Sequence, residues 1–300
     1  MALAPRVVVV HRRSELDELT TRHATRAQAE FFLKSRDQSV TTLALKANQE
    51  SDAVQSVGVS IPTDWRRADV ERADLPQFLF GPEDIVAVVG RDGLVANVAK
   101  YVTTQPVVGF NPYPESNAGV LTRFDPASAP DVLHAVATGK AYASVRTMVT
   151  AIADDGQSLE ALNDVYIGDE GHQSARYDLT VPGAGGTESQ SSSGIVVGTG
   201  TGATGWLASL AHDRGLADLL PGNTDAQLAW FVREAWPSPF TGTSLTSGTV
   251  NGGQWLRLTV KSESLVVFGD GIETDALYLG HGQQLAVGVA PRQLVLVEAV

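Results

Sequence analysis

Cysteine is absent from this 300-residue chain, and basic side chains and long apolar runs are scarce. Without a thiol, the protein can form no disulfide, thiolate metal site, iron–sulfur cluster or cysteine nucleophile. No apolar run approaches the ~20 residues that a membrane-spanning helix needs, so we expect no membrane partner. The 22 basic residues against 34 acidic ones give a net charge of −12, which disfavours a nucleic-acid partner.

Three common catalytic motifs are also missing. No histidine pair brackets a glutamate at the spacing of zinc proteases, and neither GxxxxGK[ST] nor GxSxG occurs. We therefore expect no metal held by the protein itself. The four-valine run at residues 7–10 is followed, not preceded, by two arginines. That order favours a first buried strand over a signal peptide, and with it a cytoplasmic location.

The charge is distributed unevenly along the chain. Residues 1–125 hold 14 basic and 16 acidic residues, whereas residues 126–300 hold 8 and 18. The change falls at residues 125–131, where two prolines interrupt any periodic pattern. This asymmetry predicts two segments with different roles.

The first segment is typical of an α/β domain. Solid apolar runs predict strands, and the stretches between them show helical composition or spacing. The strands are expected at residues 6–10, 84–90 and 106–110, and the helices at residues 26–34 and 94–102. Strands that are apolar throughout indicate a buried parallel sheet.

From residue 141 onward, short alternating apolar runs recur at about 8–15 residue spacing between turn-forming clusters, which predicts an all-β, sandwich-like domain. A helix at residues 202–213 interrupts this pattern, and residues 183–194 are predicted to be a flexible loop.

The sequence GRDG forms the first candidate site. Asp92 lies between Gly90 and Gly93, after a predicted strand and before a predicted helix. Open α/β sheets place their binding sites at such strand ends, and a helix start attracts anions. An aspartate here is suited to accept a hydroxyl proton or to hold Mg²⁺. The alternative is a turn aspartate that caps the helix.

The sequence TGTGATGW contains a literal GxGxxG between a predicted strand and a predicted helix. A dinucleotide fingerprint needs an acidic residue ~20 positions later at a strand end. Asp218 and Asp225 lie in a polar loop instead, which disfavours that site. The hydroxyls of Thr199, Thr201 and Thr204 suit phosphate or sugar oxygens, although a tightly packed structural loop is the alternative.

Two further segments place amides near strands. Asn163 and Asp164 interrupt an apolar run, so at least one of them is expected to point into the protein or a cleft. A ligand or a structural hydrogen bond would satisfy that group equally well. Asn111 directly follows a predicted strand in GFNPYPESNAGVL, which alone indicates an ordered loop.

The order of these four motifs resembles the NAD kinase family. That family carries a GGDG turn, a G-x-N loop, an LN[ED] strand and a T-x-T-G-[SA]-T-x-[YW] turn. The long second motif and ALNDVYIG look closer to its mitochondrial-type branch. The chain departs from the pattern at Arg91, where the family has glycine, at Leu94, where it has threonine, and at Gly200, where it has proline.

The resemblance implies a two-domain protein, with an α/β nucleotide-binding domain at residues 1–130, completed by about 285–300, and a β-rich NAD-binding domain at 131–284. It implies an enzyme that uses ATP with Mg²⁺ to phosphorylate its substrate NAD to NADP, and a homo-oligomer, either dimer or tetramer. Small-molecule nucleotides would be its partners.

Residue roles follow from the same resemblance. Asp92 would be the base that activates the ribose hydroxyl, and Gly93 would make room for nucleotide. Asn163 and Asp164 would hold a ribose or the nicotinamide. The other implied binding residues are Gly90, Arg91, Asn111, Thr199 and, around the adenosine, Thr201, Gly202, Ala203, Thr204, Gly205 and Trp206. Two alternatives remain open: a non-catalytic NAD(P)-binding regulator marked by Arg91, and a kinase for another sugar or lipid hydroxyl.

Overall fold

The computed structural model describes residues 4–183 and 185–300, which form two compact units. The first unit runs to Ser144 and also contains Val295–Val300, and the second is Val145–Leu294. Within the described residues, no helix combines the length and apolar character needed to cross a membrane.

The first unit is built on a parallel sheet with the strand order β2-β1-β3-β4-β16. Its strands are β1 (Arg6–His11), β2 (Arg66–Glu71), β3 (Asp84–Val89), β4 (Pro106–Phe110) and the end of β16 (Gln284–Ala299). Every residue of β3 is buried, as expected for an inner strand of a parallel sheet. The predicted α/β character of this part is confirmed.

Among the described residues of the first unit there are five α-helices. They are α1 (Glu15–Arg22), α2 (Arg26–Lys34), α3 (Val40–Val59), α4 (Asp92–Ala99) and α5 (Ala129–Ala137). The first three begin after Ser14, Thr25 and Ser39, whose side chains accept hydrogen bonds from backbone N–H groups of the first turn. Such caps satisfy donors that a helix start leaves free.

The strand order creates a switch point between β1 and β3. From β1 the chain crosses to β2 on one side, and it then returns to β3 on the other side of β1. Connections that leave in opposite directions open a crevice at the carboxyl ends of the two strands. His11 and Val89 end these strands.

The second unit is rich in antiparallel sheet. One sheet has the order β16-β13-β8-β9, with β5 also paired to β16 and β6 paired to β5, and the other has the order β12-β11-β10-β7-β14-β15. Buried residues of both sheets share one hydrophobic core, which includes Tyr177 and Trp230. The strands are β5 (Tyr142–Ala153), β6 (Ser158–Ala161), β7 (Asp164–Gly168), β8 (Ala175–Thr180), β9 (Thr187–Ser192), β10 (Ile195–Gly198), β11 (Gln227–Val232), β12 (Ser247–Asn251), β13 (Trp255–Val260), β14 (Ser264–Gly269) and β15 (Ile272–Gly280).

Two predictions for this part need correction. The flexible loop expected at residues 183–194 is wrong for Thr187–Ser192, which forms β9 and pairs with β8 through its backbone. The sequence of β9 is polar, so it has no apolar pattern that predicts a strand, yet its Gln190 and Ser192 are buried and hydrogen-bonded. Ala184, within the same predicted loop, lies outside the described residues. The helix expected at residues 202–213 is a 3₁₀ turn, Gly202–Thr204, followed by α6 (Trp206–Arg214).

Candidate functional site

The turn between β3 and α4 carries Arg91, Asp92 and Gly93 at the end of a buried strand. Gly90 donates its N–H to the carbonyl of Phe110 at 3.0 Å, which ties the turn to β4. A Cβ atom at Gly93 would meet no other atom within 4 Å. The backbone at Gly93 therefore borders open space, at a helix start that favours anions.

The carboxylate of Asp92 joins this turn to a distant loop. Its Oδ1 accepts hydrogen bonds from the N–H groups of Leu121 and Thr122 and from the Thr122 hydroxyl, each at 3.0 Å. Its Oδ2 accepts one hydrogen bond, from the N–H of Val120 at 2.9 Å. The helix-cap position is Arg91, so the expectation of a capping aspartate is wrong. Oδ2 is the oxygen that retains room for a further donor.

Asn111 shapes the same loop. Its Nδ2 donates to the carbonyl of Asn117 and its Oδ1 accepts from the N–H of Tyr113, both at 2.9 Å. Gly119 has a φ of +64°, where a side chain is strained. The buried Asn111 amide thus acts within the loop that Asp92 holds.

Arg91 is exposed and packs on the loop from outside. Its guanidinium carbon lies 5.3 Å from the centre of the Tyr113 ring, a cation–π contact. The Tyr113 hydroxyl donates to the carbonyl of Lys46 at 3.2 Å. Burial first, and then the nearby carboxylate of Glu50, raises the pKa of Tyr113. Leu94, by contrast, is buried and apolar.

In the second unit, Asn163 and Asp164 lie where the chain passes from β6 into β7. Asp270 fixes this passage, because its carboxylate accepts from the N–H groups of Leu162 at 3.0 Å and Asn163 at 2.6 Å. Its own N–H donates to the carbonyl of Asp164 at 3.0 Å. Asp270 lies in the turn between β14 and β15, where its φ is +57°, in the left-handed region of backbone conformation.

Asp164 differs from its neighbours because no hydrogen bond to its carboxylate is found among the described residues. Burial first, and then the negative charge of Asp270, raise the pKa of Asp164 to about 7. A carboxyl group with this pKa is partly protonated at neutral pH. It is therefore able to accept a hydrogen bond from a ligand hydroxyl or to donate one to a ligand oxygen.

Thr199 connects the two predicted motifs of the second unit. Its hydroxyl donates to the carbonyl of Leu162 at 2.6 Å and accepts from the N–H groups of Thr201 at 3.1 Å and Gly202 at 3.3 Å. Its N–H donates to the carbonyl of Asn163 at 2.9 Å. Thr199 is fully buried, and its hydroxyl makes these three hydrogen bonds within the protein. Thr199 therefore holds the turn in place and has no free hydrogen-bonding capacity for a ligand.

Two of the three glycines of this turn, Gly200 and Gly202, are needed for close packing. A Cβ atom at Gly200 would strike the carbonyl of Gly222, and one at Gly202 would strike the carbonyl of Asn163. These contacts support the structural interpretation of both glycines. Thr201 differs from them, because its hydroxyl is buried and has no hydrogen-bond partner in the described part of the chain. An unsatisfied buried hydroxyl costs ~1–3 kcal/mol, and a ligand atom would remove this cost.

The remaining residues of the turn lead into α6. The N–H of Ala203 donates to the carbonyl of Thr199 at 3.0 Å, the Thr204 hydroxyl donates to the carbonyl of Thr201 at 2.9 Å, and the N–H of Gly205 donates to the carbonyl of Gly202 at 3.0 Å. Thr204 and Gly205 are exposed.

Trp206 follows directly and stacks on Tyr166, with ring centres 5.7 Å apart and planes inclined by 25°. The guanidinium carbon of Arg233 lies 5.4 Å from the centre of the Trp206 ring. The indole is therefore part of an aromatic group that also includes Phe268, whose ring centre lies 5.0 Å from that of Tyr166.

The structure brings the predicted residues together in two groups, one in each unit. Gly90, Arg91, Asp92, Gly93 and Asn111 form the first. Asn163, Asp164, Thr199, Thr201, Gly202, Ala203, Thr204, Gly205 and Trp206 form the second. Sequence reasoning missed Asp270, although the FGDG segment that contains it is a weak signal. It also missed Thr122 and Tyr113, for which the sequence offers no signal.

A protein-built metal site is not found among the described residues, since no three His, Cys, Asp or Glu side chains converge on one point. Mg²⁺ commonly binds through one or two carboxylates together with substrate phosphates. The carboxylate of Asp92, which is part-buried and not closed off from solvent, fits that mode of binding.

Comparison with known proteins gives one informative match. No protein-family model matches the chain. An alignment over 146 residues is 30% identical to the NAD kinase of Chlorobaculum tepidum and covers 46% of this chain and 47% of that protein. The chain therefore spans about half the length of the curated relative that it matches. This match supports a relationship to the NAD kinases.

Proposed function

We propose that this protein is an NAD kinase-like phosphotransferase that uses ATP to phosphorylate the adenosine ribose 2′-hydroxyl of NAD, giving NADP. One observation carries the proposal. Asp92 lies at the carboxyl end of an inner parallel strand and precedes Gly93, where a side chain would meet open space; among the described residues the Oδ2 of Asp92 accepts one hydrogen bond, from Val120. The match to an NAD kinase over about half the chain agrees with it.

In the proposed reaction, Asp92 Oδ2 accepts the proton of the 2′-hydroxyl while that oxygen attacks the γ-phosphorus of ATP. The new P–O bond forms as the bond between the γ-phosphorus and the bridging oxygen breaks, and ADP leaves with the electron pair. Mg²⁺ that arrives with ATP would neutralise charge on the transferring group. The other contacts of Asp92 hold its carboxylate in a fixed orientation, which favours proton transfer.

The second unit would bind the nucleoside part of NAD. Among the described residues, the Asp164 carboxyl group has no hydrogen-bond partner and the Thr201 hydroxyl is buried without one, and both are suited to ribose hydroxyls or base nitrogens. Asn163 would contribute its amide, while Thr199 and Asp270 hold the backbone of these residues. The exposed residues Thr204 and Gly205 and the indole of Trp206 would complete the adenosine side.

The proposal extends to properties that the resemblance implies. We propose that the protein belongs to the mitochondrial-type branch with an altered GGDG motif, forms a dimer or tetramer and is located in the cytoplasm. We also propose that its second domain is a β-sandwich, which agrees with the two sheets that share one hydrophobic core.

A second candidate function is supported by two features of the first unit. Arg91 replaces a family glycine and is held over the Tyr113 ring, and the Asp92 carboxylate carries four hydrogen bonds to its own chain. Both features would suit a relative that binds NAD(P) without phosphorylating it. Arg91→Gly separates the two functions, because a gain in NADP formation would mean that the arginine suppresses catalysis.

The direct test measures NADP formed from NAD and Mg-ATP by the purified protein. We expect activity in the wild type and a loss of about 10²–10⁴-fold in Asp92→Asn, the typical contribution of a general base. Thr122→Val is the matched control, since it removes one hydrogen bond from Asp92 but leaves the carboxylate. It should retain most of the activity.

NAD binding is measured on the same samples by calorimetry. Binding without turnover in the wild type would favour the regulatory function, and absence of both would refute the choice of NAD as substrate. Equal losses of activity in Asp92→Asn and Thr122→Val would mean that Asp92 only holds the loop.

A further inference from the structure

A groove in the first unit is lined by the end of α1, the link that follows it and one face of α2. Its volume is about 680 Å³, within the range of pockets that bind small molecules. The lining residues that carry the argument are Arg22, His23, Gln28, Phe31 and Phe32. The proposed catalytic step uses none of them.

The outer face of α2 forms one side of this groove. Ala29 and Leu33 are buried and attach the inner face of the helix to the protein. Gln28, Phe31 and Phe32 point away from that inner face, because each residue of a helix turns by about 100°. Phe31 is 77% exposed and Phe32 is half-buried. Two aromatic rings in an open groove form an apolar patch of the kind that marks a binding surface.

The ring of Phe32 is held in place by two neighbours. The centre of the His23 ring lies 4.5 Å from that of Phe32, and the guanidinium carbon of Arg36 lies 3.8 Å from the same centre. These contacts fix the aromatic wall of the groove before any ligand arrives. A preformed wall lowers the entropy that a ligand loses on binding.

Two consecutive polar residues at the groove lack partners. Nε2 of His23 is buried without a hydrogen bond, and Arg22 has no ion pair with any residue that the structure describes. A guanidinium group donates hydrogen bonds, and so does an imidazole nitrogen that carries its proton. A carboxylate accepts from both and removes the cost of the unsatisfied imidazole.

The side-chain charge around the groove is positive. Residues 22–36 contain four basic residues and one acidic residue, a net charge of +3 in a chain of −12. The acidic residue, Glu30, is paired with Arg26 at 3.5 Å, so its charge is already compensated. The end of α1 disfavours an anion and the start of α2 favours one. Because these two effects oppose each other, the side chains decide that the ligand is an anion.

We propose that this groove binds an aromatic carboxylate, with its carboxylate at Arg22 and His23 and its ring against Phe31 and Phe32. The positive charge selects an anion, and the aromatic wall selects a flat body that stacks on it. This site is independent of the proposed function, since it shares no residue with the candidate site.

The test measures binding of 2-naphthoate to the full chain by calorimetry at low salt, with 2-naphthylmethanol as an uncharged probe of similar shape. Arg22→Gln should weaken binding of 2-naphthoate by about two- to fivefold, as for an exposed charge pair, and leave binding of the alcohol unchanged. Arg26→Gln is the matched control, because it removes the same charge from an exposed residue of α2 that does not line the groove.

Phe31→Ala tests the aromatic wall. It should weaken binding of both probes by about three- to tenfold, the range for a lost ring contact. Leu45→Ala is the control, because Leu45 is also exposed in the first unit and does not line the groove. Both variants change an exposed side chain and should fold as the wild type does.

Three results would overturn the inference: no binding of 2-naphthoate, equal affinity for the two probes, or equal binding by Arg22→Gln and Arg26→Gln. Sedimentation of the same samples adds a fourth. Self-association that Phe31→Ala abolishes and 2-naphthoate does not would assign the groove to a second copy of the chain. Binding of 2-naphthoate by a protein that forms no NADP would leave this site standing and refute the proposed function alone.

Discussion

Replacing Asp164 by asparagine tests whether a part-buried carboxyl group holds its proton near neutral pH. Burial, and to a smaller extent the charge of Asp270, raise the pKa of Asp164 from its ordinary 3.8 to about 7 in the folded protein. The folded state therefore binds this proton more tightly than the unfolded chain. The resulting stabilisation is fully present below about pH 4, decreases as the pH rises and is lost once the pH passes about 7.

The size of the effect follows from the shift. A change of about three pKa units corresponds to roughly 4 kcal/mol, and because Asp164 is partly exposed, solvent screening reduces this to about 2–4 kcal/mol. Asparagine has nearly the same shape and never ionises. We therefore expect Asp164→Asn to match the wild type in unfolding free energy near pH 4 and to exceed it by about 2–4 kcal/mol at pH 8.

Urea unfolding at pH 4.5, 6 and 8 measures this difference. Asp213→Asn is the matched control, because Asp213 is an exposed carboxylate of the same unit and its replacement should change stability by less than about 0.5 kcal/mol at every pH. Parallel stability curves for the wild type and Asp164→Asn across this range would refute the reasoning. They would mean that Asp164 ionises in the folded state as it does in water.

Three substitutions test the packing of the candidate site. Thr199→Val should lower the unfolding free energy by about 1–3 kcal/mol, because the carbonyl of Leu162 and two N–H groups lose their partner; an unchanged urea midpoint would contradict this role. Gly200→Ala should cost about 1–3 kcal/mol through its clash with the carbonyl of Gly222, which thermal unfolding measures. Gly93→Ala should leave the melting temperature unchanged and lower NADP formation, since its methyl group would fill only the open space at this turn; full activity would show that nucleotide does not approach there.

Strands with a strong apolar pattern could be predicted from the sequence, and those without one could not. The inner strands β1, β3 and β4 were predictable because their residues are apolar on both faces of the sheet. By contrast, β2 has the sequence RRADVE, of which Val70 alone is buried. A strand at a sheet edge needs little apolar surface, so its sequence carries little signal.

In the candidate site, too, the local structure could be predicted from the sequence, but the contacts between distant residues could not. The sequence predicts the turn at Asp92, because a strand, two glycines and a helix follow one another. It does not predict that the carboxylate bonds to residues 120–122, nor that Asp270 holds the backbone of Asn163, 107 residues away. Such contacts depend on the register of paired strands, which local sequence does not encode.

The last strand has a consequence for how the chain folds during synthesis. Val295 and Leu296 pair with Pro106 and Val107, their neighbours in the first parallel sheet, from about 190 residues further along the chain. A ribosome that adds ~5–20 residues per second releases this strand many seconds after β4. Until then the outer edge of β4 is open to pairing with other chains. We expect a chaperone that shields strand edges to raise the yield of folded protein more than one that acts after release.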